Sequence, residues 1–167
     1  TADVARTAGV HHVLRFPQNR GLASAFIAGL DAAVNPGADC IVNTDAATQY
    51  NAGDIRDLAR PILEGSADIV IGDRQTSTIE HFSPLKKLLQ RLGSWVVRKL
   101  SYTKVSDATS GFRAYSREAA MRIHITSTYT YTLESIISAG HNNLSIASVP
   151  IRTNPPTRPS RLFKSMY

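Results

Sequence analysis

The residue types best suited to chemistry are a carboxylate, an amide and a guanidinium that follow two short apolar segments of the 167-residue chain. Asp45 and Gln49 come after the apolar run that starts at Cys40, and Arg74 follows the run that ends at Ile71. Carboxylate and amide oxygens are ligands for a hard divalent cation, which in turn bridges phosphate oxygens. Asp45 as a turn cap and Arg74 as a solvated side chain are the alternatives. Their position at successive predicted strand ends favours a shared site for a diphosphate.

A second candidate lies at Asn19 and Gly21, in a turn between a strand predicted over 12–16 and a helix that starts near Leu22. Backbone N–H groups at the start of a helix can bind an anion. The G-x-G-x-x-G fingerprint of dinucleotide-binding proteins does not occur in the chain. The sequence therefore disfavours a redox enzyme of the Rossmann class.

The segment 105–115 combines several polar residues and a glycine with an aromatic residue and an arginine. It lies between two segments that are expected to be structured. A loop this rich in polar groups is more often a site than a spacer. We therefore expect it to contribute to a site.

Strand-like and helix-like segments alternate along the chain, which indicates an open, mainly parallel α/β sheet with helices on both faces. We expect strands over 12–16, 38–44, 67–71 and 144–151. We expect helices that start at Leu22, Asp54, Ser116 and Thr130, and a long helix over 84–100. In such sheets ligands bind outside the carboxyl ends of the strands, where Asp45 and Arg74 are predicted to lie.

Length and composition indicate a single globular domain over residues 1–167, because 43% of the residues are hydrophobic and 19% are charged. The only cysteine, Cys40, excludes an intramolecular disulfide. The five histidines show no spacing of the zinc-binding type. No apolar run reaches the roughly 18 residues of a membrane span, so the sequence predicts none.

The formal charge of +6 is concentrated in two basic segments, which indicates an anionic partner. One is the helix predicted over 84–100, and the other is the Pro-rich stretch over 152–164. The helix is either a core helix with a solvated basic face or a helix that contacts a membrane surface or a second copy of the chain. A nucleic-acid partner is disfavoured because the helix lacks interleaved aromatic residues that stack on bases.

Short motifs occur in a fixed order along almost the whole chain. They are Asn19-x-Gly21-x-Ala23-x-Ala25, Asp45-Ala46-x-x-Gln49-Tyr50, Ala67-Asp68-Ile69-Val70-Ile71-Gly72-x-Arg74, Asp107-x-Thr109-Ser110-Gly111-Phe112-Arg113 and Tyr131-Thr132-x-Glu134. In order and spacing the set resembles the family 2 glycosyltransferases. Within that family it is most similar to the dolichyl or polyprenyl phosphate sugar transferases, which are dolichol-phosphate mannosyltransferase-like.

The resemblance implies a GT-A fold and an enzyme that moves a sugar, with inversion, from a nucleotide-diphosphate sugar to a polyprenyl (dolichyl-type) phosphate. It also implies a Mg2+ or Mn2+ cofactor and a cytoplasmic location with peripheral contact at the cytoplasmic membrane face. A homodimer is compatible with the basic helix predicted over 84–100. A phosphate acceptor needs no strong general base, because its second pKa of about 6 leaves it largely dianionic at neutral pH.

The resemblance implies roles for individual residues. The donor diphosphate would be bound by Asn19, Gly21, Asp45 and Arg74, and the metal by Asp45 and Gln49. The catalytic residues would be Asp107 and Arg113. The acceptor phosphate would be bound by Ser110, Gly111, Arg158, Ser160 and Arg161.

The chain departs from the family pattern at Ala47, where the family carries the second aspartate of its metal motif. One carboxylate in place of two weakens a site for an ion that dehydrates reluctantly. A non-catalytic, glycosyltransferase-like binding or scaffold domain is therefore the alternative. The family's first strand and its base-binding Asp-Asp-Gly-Ser segment are also expected to be missing, so that residues 1–167 would be an N-terminally incomplete catalytic domain.

Overall fold

The structure, a computed structural model, describes residues 2–45, 49–75, 105–127 and 130–154. The helices of the described ranges are α1 (Ala2–Thr7), α2 (Gly21–Val34), α3 (Ile55–Leu63), α4 (Arg117–Arg122) and α5 (Thr132–His141). The strands of these ranges are β1 (Cys40–Asn43), β2 (Ile69–Asp73), β3 (Arg113–Ser116) and β4 (Ile146–Pro150). A single turn of 3₁₀-helix, Ala52–Asp54, precedes α3. The helix predicted over 84–100 lies outside the described residues.

The described strands form one open sheet in the order β1-β3-β2-β4. β3 runs antiparallel to both of its neighbours, and β2 pairs in parallel with β4. β1, β2 and β4 therefore point in the same direction, as expected, and their carboxyl ends meet at one edge of the sheet. The strand β3 was not predicted, because its four residues, Arg-Ala-Tyr-Ser, are too few to show an alternating pattern.

The prediction of a strand over 12–16 was wrong. This segment is irregular, and Leu14 is 60% exposed. Alternation of apolar and polar residues signals a strand only where a neighbour supplies hydrogen bonds and a buried face. No strand in the described part of the chain pairs with these residues.

The sheet carries a hydrophobic cluster on each face, because successive side chains of a strand point in opposite directions. Ile69 and Ile71 of β2 face a cluster that includes Phe26 of α2 and Ile136 of α5. Val70, between them, faces a second cluster, which includes Leu58 and Ile62 of α3. The expected helices on both faces of an open sheet are therefore present.

Local capping explains where two of the helices begin. The Ser116 hydroxyl accepts a hydrogen bond from the Ala119 amide at 3.0 Å and caps α4 at the predicted position. Gly21, at the start of α2, has a φ of 83°, which a residue with a side chain rarely adopts. None of the helices in the described ranges has the length and apolar character needed to cross a membrane.

Gly72 of β2 lies where its neighbours leave no room for a side chain. A Cβ on Gly72 would lie 2.8 Å from Cδ1 of Ile151 and 3.0 Å from the carbonyl oxygen of Phe112. The Phe112 oxygen cannot move away from an added Cβ without stretching the 2.9 Å hydrogen bond that it accepts from the Gly72 amide. Gly72→Ala should therefore lower the free energy of unfolding in urea by about 1–3 kcal/mol.

Gly29→Ala is the matched control, because no atom lies within 4 Å of the Cβ position at Gly29 in α2. An alanine there should be neutral or stabilise the chain by up to about 1 kcal/mol. Equal unfolding curves for the two variants would contradict the proposed packing.

Candidate functional site

The candidate site lies at the sheet edge where β1 and β2 end. Asp45 follows β1 and Arg74 follows β2, as predicted. The segment 105–112 approaches the same edge before it enters β3. Asp45 is influenced by the charges of both Arg74 and Arg113, so the structure brings these predicted residues together.

Arg74 and Asp107 form a paired hydrogen bond at this edge. Nε of Arg74 donates to Oδ2 of Asp107 at 2.7 Å, and Nη2 donates to Oδ1 at 2.9 Å. Nη2 also donates to the Thr109 hydroxyl at 2.7 Å. The Asp107 side chain is only 2% exposed and that of Arg74 14%, so the pair is shielded from water.

The protonation state of Asp107 follows from this pairing. Burial alone would raise the pKa of its carboxyl, but the hydrogen bonds and charge of Arg74, with the Thr109 hydroxyl, hold the pKa below its ordinary value of 3.8. A carboxylate held in this way is a weak base. Its geometry suits the orientation of Arg74 better than it suits the removal of a proton.

Asp45 is an exposed residue whose carboxylate rests on a glycine. A Cβ added to Gly111 would lie 2.8 Å from Oδ2 of Asp45, so the carboxylate occupies the space that a side chain at 111 would fill. Partial burial raises the pKa of the Asp45 carboxyl, while the charges of Arg74 and Arg113 act to lower it. A carboxylate that is supported on one side and exposed on the other can bind a cation.

Gly111 is hydrogen-bonded through both of its backbone polar groups. Its carbonyl oxygen accepts from Nδ2 of Asn43 at 2.8 Å, and its amide donates to the Tyr50 hydroxyl at 3.1 Å. Ser110, beside it, is fully buried, and its hydroxyl accepts from the Phe112 amide at 3.4 Å. In the structure, the polar groups of Gly111 and the Ser110 hydroxyl bind the chain itself.

Arg113 is fully buried and joins the 108–110 segment to α5. Its guanidinium donates to the carbonyl oxygens of Ser110 at 2.7 Å, Ala108 at 2.8 Å and Thr132 at 2.8 Å. It also donates to the Ser135 hydroxyl at 2.8 Å. The structure thus gives this guanidinium the role of holding the loop that carries Asp107 and Gly111.

Asn19 and Gly21 lie at exposed positions where α2 begins. Oδ1 of Asn19 accepts a hydrogen bond of 2.9 Å from the Gly21 amide, so one amide at the start of the helix is already bonded. No hydrogen bond between described residues joins Asn19 or Gly21 to Asp45 or Arg74. α2 is attached to the site through Phe26, whose ring stacks on Tyr131 with centroids 3.9 Å apart.

The segment after Asp45 is bound to the end of the described chain. The Gln49 carbonyl accepts from the Asn154 amide at 2.8 Å, and Tyr50 forms a β-bridge with Thr153. Nε of Arg152 donates to Asp54 at 2.9 Å, and the hydrogen bonds of Arg152 lower the pKa of the buried Asp54 carboxyl. Ala47, Arg158, Ser160 and Arg161 lie outside the described residues, so their predicted roles stay predictions.

The residues that sequence reasoning left without a role are Asn43, Tyr50 and Tyr131. Asn43 lies two positions before Asp45, and both tyrosines belong to the quoted motifs. Their contacts span between 61 and 88 residues of sequence. For Asn43 alone, the position next to the strand end could have indicated from local sequence that the residue belongs to the site.

The donor set predicted from the sequence fits a metal that is completed by its substrate. Asp45 offers a carboxylate and Gln49 an amide oxygen, both of them hard ligands, and Mg2+ is often held by one or two carboxylates together with substrate phosphates. Within the described ranges, no group of three or more His, Cys, Asp and Glu residues is suited to a metal.

Comparison with known families decides which protein class this geometry belongs to. The model of the family described as "Glycosyl transferase family 2" matches residues 1–123 of the 167-residue chain. The chain belongs to glycosyl transferase family 2. Members of this family generally use a divalent metal.

Among the curated relatives are sugar transferases that act on lipid phosphates. The UDP-N-acetylglucosamine–dolichyl-phosphate N-acetylglucosaminyltransferase of Methanococcus voltae is 34% identical over 145 residues, covering 84% of this chain and 58% of that protein. The polyprenol monophosphomannose synthase of Mycolicibacterium smegmatis is 27% identical, covering 84% of this chain and 55% of that protein. This family 2 chain therefore spans little more than half the length of these relatives.

A solved structure supports the fold. Glucosyl-3-phosphoglycerate synthase from Mycobacterium tuberculosis, in complex with phosphoglyceric acid, aligns with a TM-score of 0.65 at 21% identity. The alignment covers 86% of this chain and 50% of that chain. The expected GT-A-like fold, an open sheet flanked by helices, is confirmed. The described sheet was expected to be mainly parallel and is mixed, because β3 runs antiparallel to both of its neighbours.

The Arg74–Asp107 pair leads to a prediction about acid stability. The pKa of Asp107 is lower in the folded chain than its ordinary value of 3.8. The pair therefore contributes fully to the free energy of unfolding above pH 3.8, and this contribution is lost as the pH falls below 3.8. Asp107→Asn should lower the free energy of unfolding at neutral pH by up to about 3–5 kcal/mol, because it leaves a buried guanidinium without its counter-charge. Urea unfolding at pH 7 and at pH 3 should show that the deficit shrinks in acid.

Asp57→Asn is the control for this prediction. Asp57 pairs with Arg60 at 2.7 Å, but their side chains are 48% and 64% exposed. Loss of such a solvated pair should change the free energy of unfolding by at most about 1 kcal/mol. A deficit for Asp107→Asn that is as small as that of the control, or that grows in acid, would contradict the assignment.

Proposed function

We propose that the chain is the catalytic domain of an inverting glycosyltransferase that moves a sugar from a nucleotide-diphosphate sugar to a polyprenyl (dolichyl-type) phosphate. The observation that carries the proposal is the convergence of Asp45, Arg74 and the 107–113 loop at one sheet edge of a family 2 chain. The relatives named for transfer to dolichyl phosphate, and as a polyprenol monophosphomannose synthase, support this acceptor class.

The donor diphosphate is bound, in this proposal, by cations at the sheet edge. Arg74 faces it with a guanidinium that Asp107 holds in a fixed orientation, and fixed donors of this kind are worth most where charge develops. Asn19 and Gly21 contribute from the start of α2. Mg2+ or Mn2+ on Asp45 and Gln49 would neutralise the departing diphosphate when bound.

The transfer itself is a displacement at the anomeric carbon. An oxygen of the lipid phosphate attacks that carbon, the bond from the carbon to the diphosphate oxygen breaks, and the nucleoside diphosphate leaves with the bonding electrons. No proton must be removed from a phosphate dianion, so a paired, weakly basic Asp107 is compatible with the reaction. Asp107 and Arg113 then serve the reaction by positioning Arg74 and the loop.

The acceptor phosphate is assigned to Arg158, Ser160 and Arg161, with Ser110 and Gly111 shaping the adjacent surface. The bonds that join Gln49 and Tyr50 to Asn154 and Thr153 support this assignment, because they hold the chain just before residue 155 beside the donor corner. Peripheral contact with the cytoplasmic membrane face belongs to the same proposal, since the acceptor is a membrane lipid. A homodimer stays a prediction.

Ala47 provides the test of the catalytic proposal against a non-catalytic binding domain. Ala47→Asp restores the second carboxylate of the family motif and should tighten the binding of Mn2+ with inorganic pyrophosphate at least roughly tenfold, as seen by calorimetry. Asp45→Asn should abolish that binding. Ala46→Asp adds the same charge one position away and should give little gain.

Catalysis is measured separately, by transfer of labelled sugar from UDP- and GDP-sugars to a short-chain polyprenyl phosphate. Transfer by the wild-type chain or by Ala47→Asp, lost in Arg74→Gln, supports the enzyme. Donor binding without transfer in either form would favour the scaffold, and the absence of both donor binding and transfer would overturn the proposal.

A further inference from the structure

Three side chains of one short segment converge on a single glycine. Asn43, Asp45 and Tyr50 all contact Gly111, which lies 61 to 68 residues further along the chain from Tyr50 and Asn43. Asp45 is the residue that the proposed function uses. Asn43 and Tyr50 bind the two peptide groups that flank the Cα of Gly111, and the Asp45 carboxylate lies against this glycine.

The carbonyl side of Gly111 is held by Asn43. Its amide nitrogen donates to the Gly111 carbonyl oxygen at 2.8 Å and to the Tyr131 hydroxyl at 2.7 Å, which uses both of its hydrogens. Tyr131 is 2% exposed, and its ring stacks on Phe26 with an interplanar angle of 6°. Burial raises the pKa of Tyr131 far above its usual range, so the hydroxyl stays neutral and remains an acceptor for Asn43.

The amide side of Gly111 is held by Tyr50. The Gly111 N–H donates to the Tyr50 hydroxyl at 3.1 Å. The Tyr50 ring is 8% exposed and stacks on Phe112 with centroids 5.0 Å apart, so the hydroxyl has a fixed location. Both ends of the Gly111 backbone are thus anchored by side chains from the segment that contains Asp45.

Glycine is needed at position 111 for space and not for backbone conformation. Gly111 is not among the residues with a positive φ, so an alanine could adopt its backbone geometry. The added Cβ would lie 2.8 Å from Oδ2 and 3.3 Å from Oδ1 of Asp45. Because the obstructing atoms are the end of a side chain, the substitution would displace the Asp45 carboxylate and leave the fold intact.

We propose that Asn43 and Tyr50 are positioning residues for Asp45: they anchor the two sides of the Gly111 peptide so that the open face of the glycine forms a seat for the carboxylate. The consequence for metal and diphosphate binding rests on the proposed function, whereas the seat itself does not. The partners of a ligating group commonly affect metal affinity by roughly 10- to 100-fold when they are removed.

The test uses three variants of the chain and two controls. Gly111→Ala fills the seat, Asn43→Ala frees the carbonyl side, and Tyr50→Phe removes one hydroxyl and keeps the stacked ring. Asn142→Ala removes amide hydrogen bonds to the carbonyl oxygens of Ser138 and Arg122, at 2.8 and 3.2 Å, in another part of the molecule. Gly29→Ala adds a methyl group to an open helix position.

Two measurements separate positioning from general stability. Calorimetry of Mn2+ with inorganic pyrophosphate should show roughly 10- to 100-fold weaker binding for Gly111→Ala and Asn43→Ala, and unchanged binding for both controls. Melting temperatures of Asn43→Ala and Asn142→Ala should fall by similar amounts. Hydrogen exchange at the Gly111 amide should be slow in the wild type and faster in Tyr50→Phe and Asn43→Ala.

Unchanged pyrophosphate binding in Gly111→Ala and Asn43→Ala would overturn the inference. If the wild-type chain does not bind Mn2+ with pyrophosphate, the transfer assay alone decides the proposed function, and the seat is judged on amide exchange alone. In that case, faster exchange at Gly111 in Tyr50→Phe and Asn43→Ala supports it, and unchanged exchange overturns it.

Discussion

The buried guanidinium of Arg113 is the interaction on which the rest of the site depends. Transfer of a charged group from water into a protein interior costs several kcal/mol, and good hydrogen bonds must offset that cost. Arg113 meets this requirement with three backbone carbonyls and one hydroxyl, all within 2.8 Å. The carbonyls of Ala108 and Ser110 in turn depend on Arg113. The loop that presents Asp107 and Gly111 therefore keeps its shape because a charge is buried beneath it.

The charges at this sheet edge are close to balance before any ligand arrives. Arg74 and Asp107 neutralise one another, while Arg113 and Arg74 both act on Asp45. In the proposed function, a nucleotide diphosphate would add negative charge, which the arginines and a cation would compensate. Alanine in place of the second aspartate of the family motif would weaken the attraction for a metal and, by the same electrostatics, lower the repulsion that a diphosphate meets.

Much of the frame could be predicted from the sequence, because strand and helix periodicities are local. α2, β1, β2 and the position of Asp45 and Arg74 at one edge follow from patterns only a few residues long. β3 was not predicted, because its four residues are too few to show a periodic pattern. The strand over 12–16 was wrongly predicted, because its residues alternate but no described strand pairs with them. Arg113 was predicted to be a catalytic residue, and that role stays a prediction. Its burial could not be predicted, because spacing alone does not distinguish a buried arginine from an exposed one. The hydrogen bonds of Asn43, Tyr50 and Tyr131 join residues more than 60 positions apart in the sequence, so no local pattern predicted them.

The bonds between 49–54 and 152–154 have a consequence for the order in which the molecule is built. Arg152 binds Asp54 across 98 residues of sequence, and Asn154 binds the Tyr50 carbonyl across 104. Contacts this distant in sequence form only after intervening chain has been ordered or brought together, and they slow folding. During synthesis on the ribosome, residues 49–54 emerge long before their partners in 152–154. The corner around Asp45 thus acquires its final shape late, once nearly all of the described chain has been made.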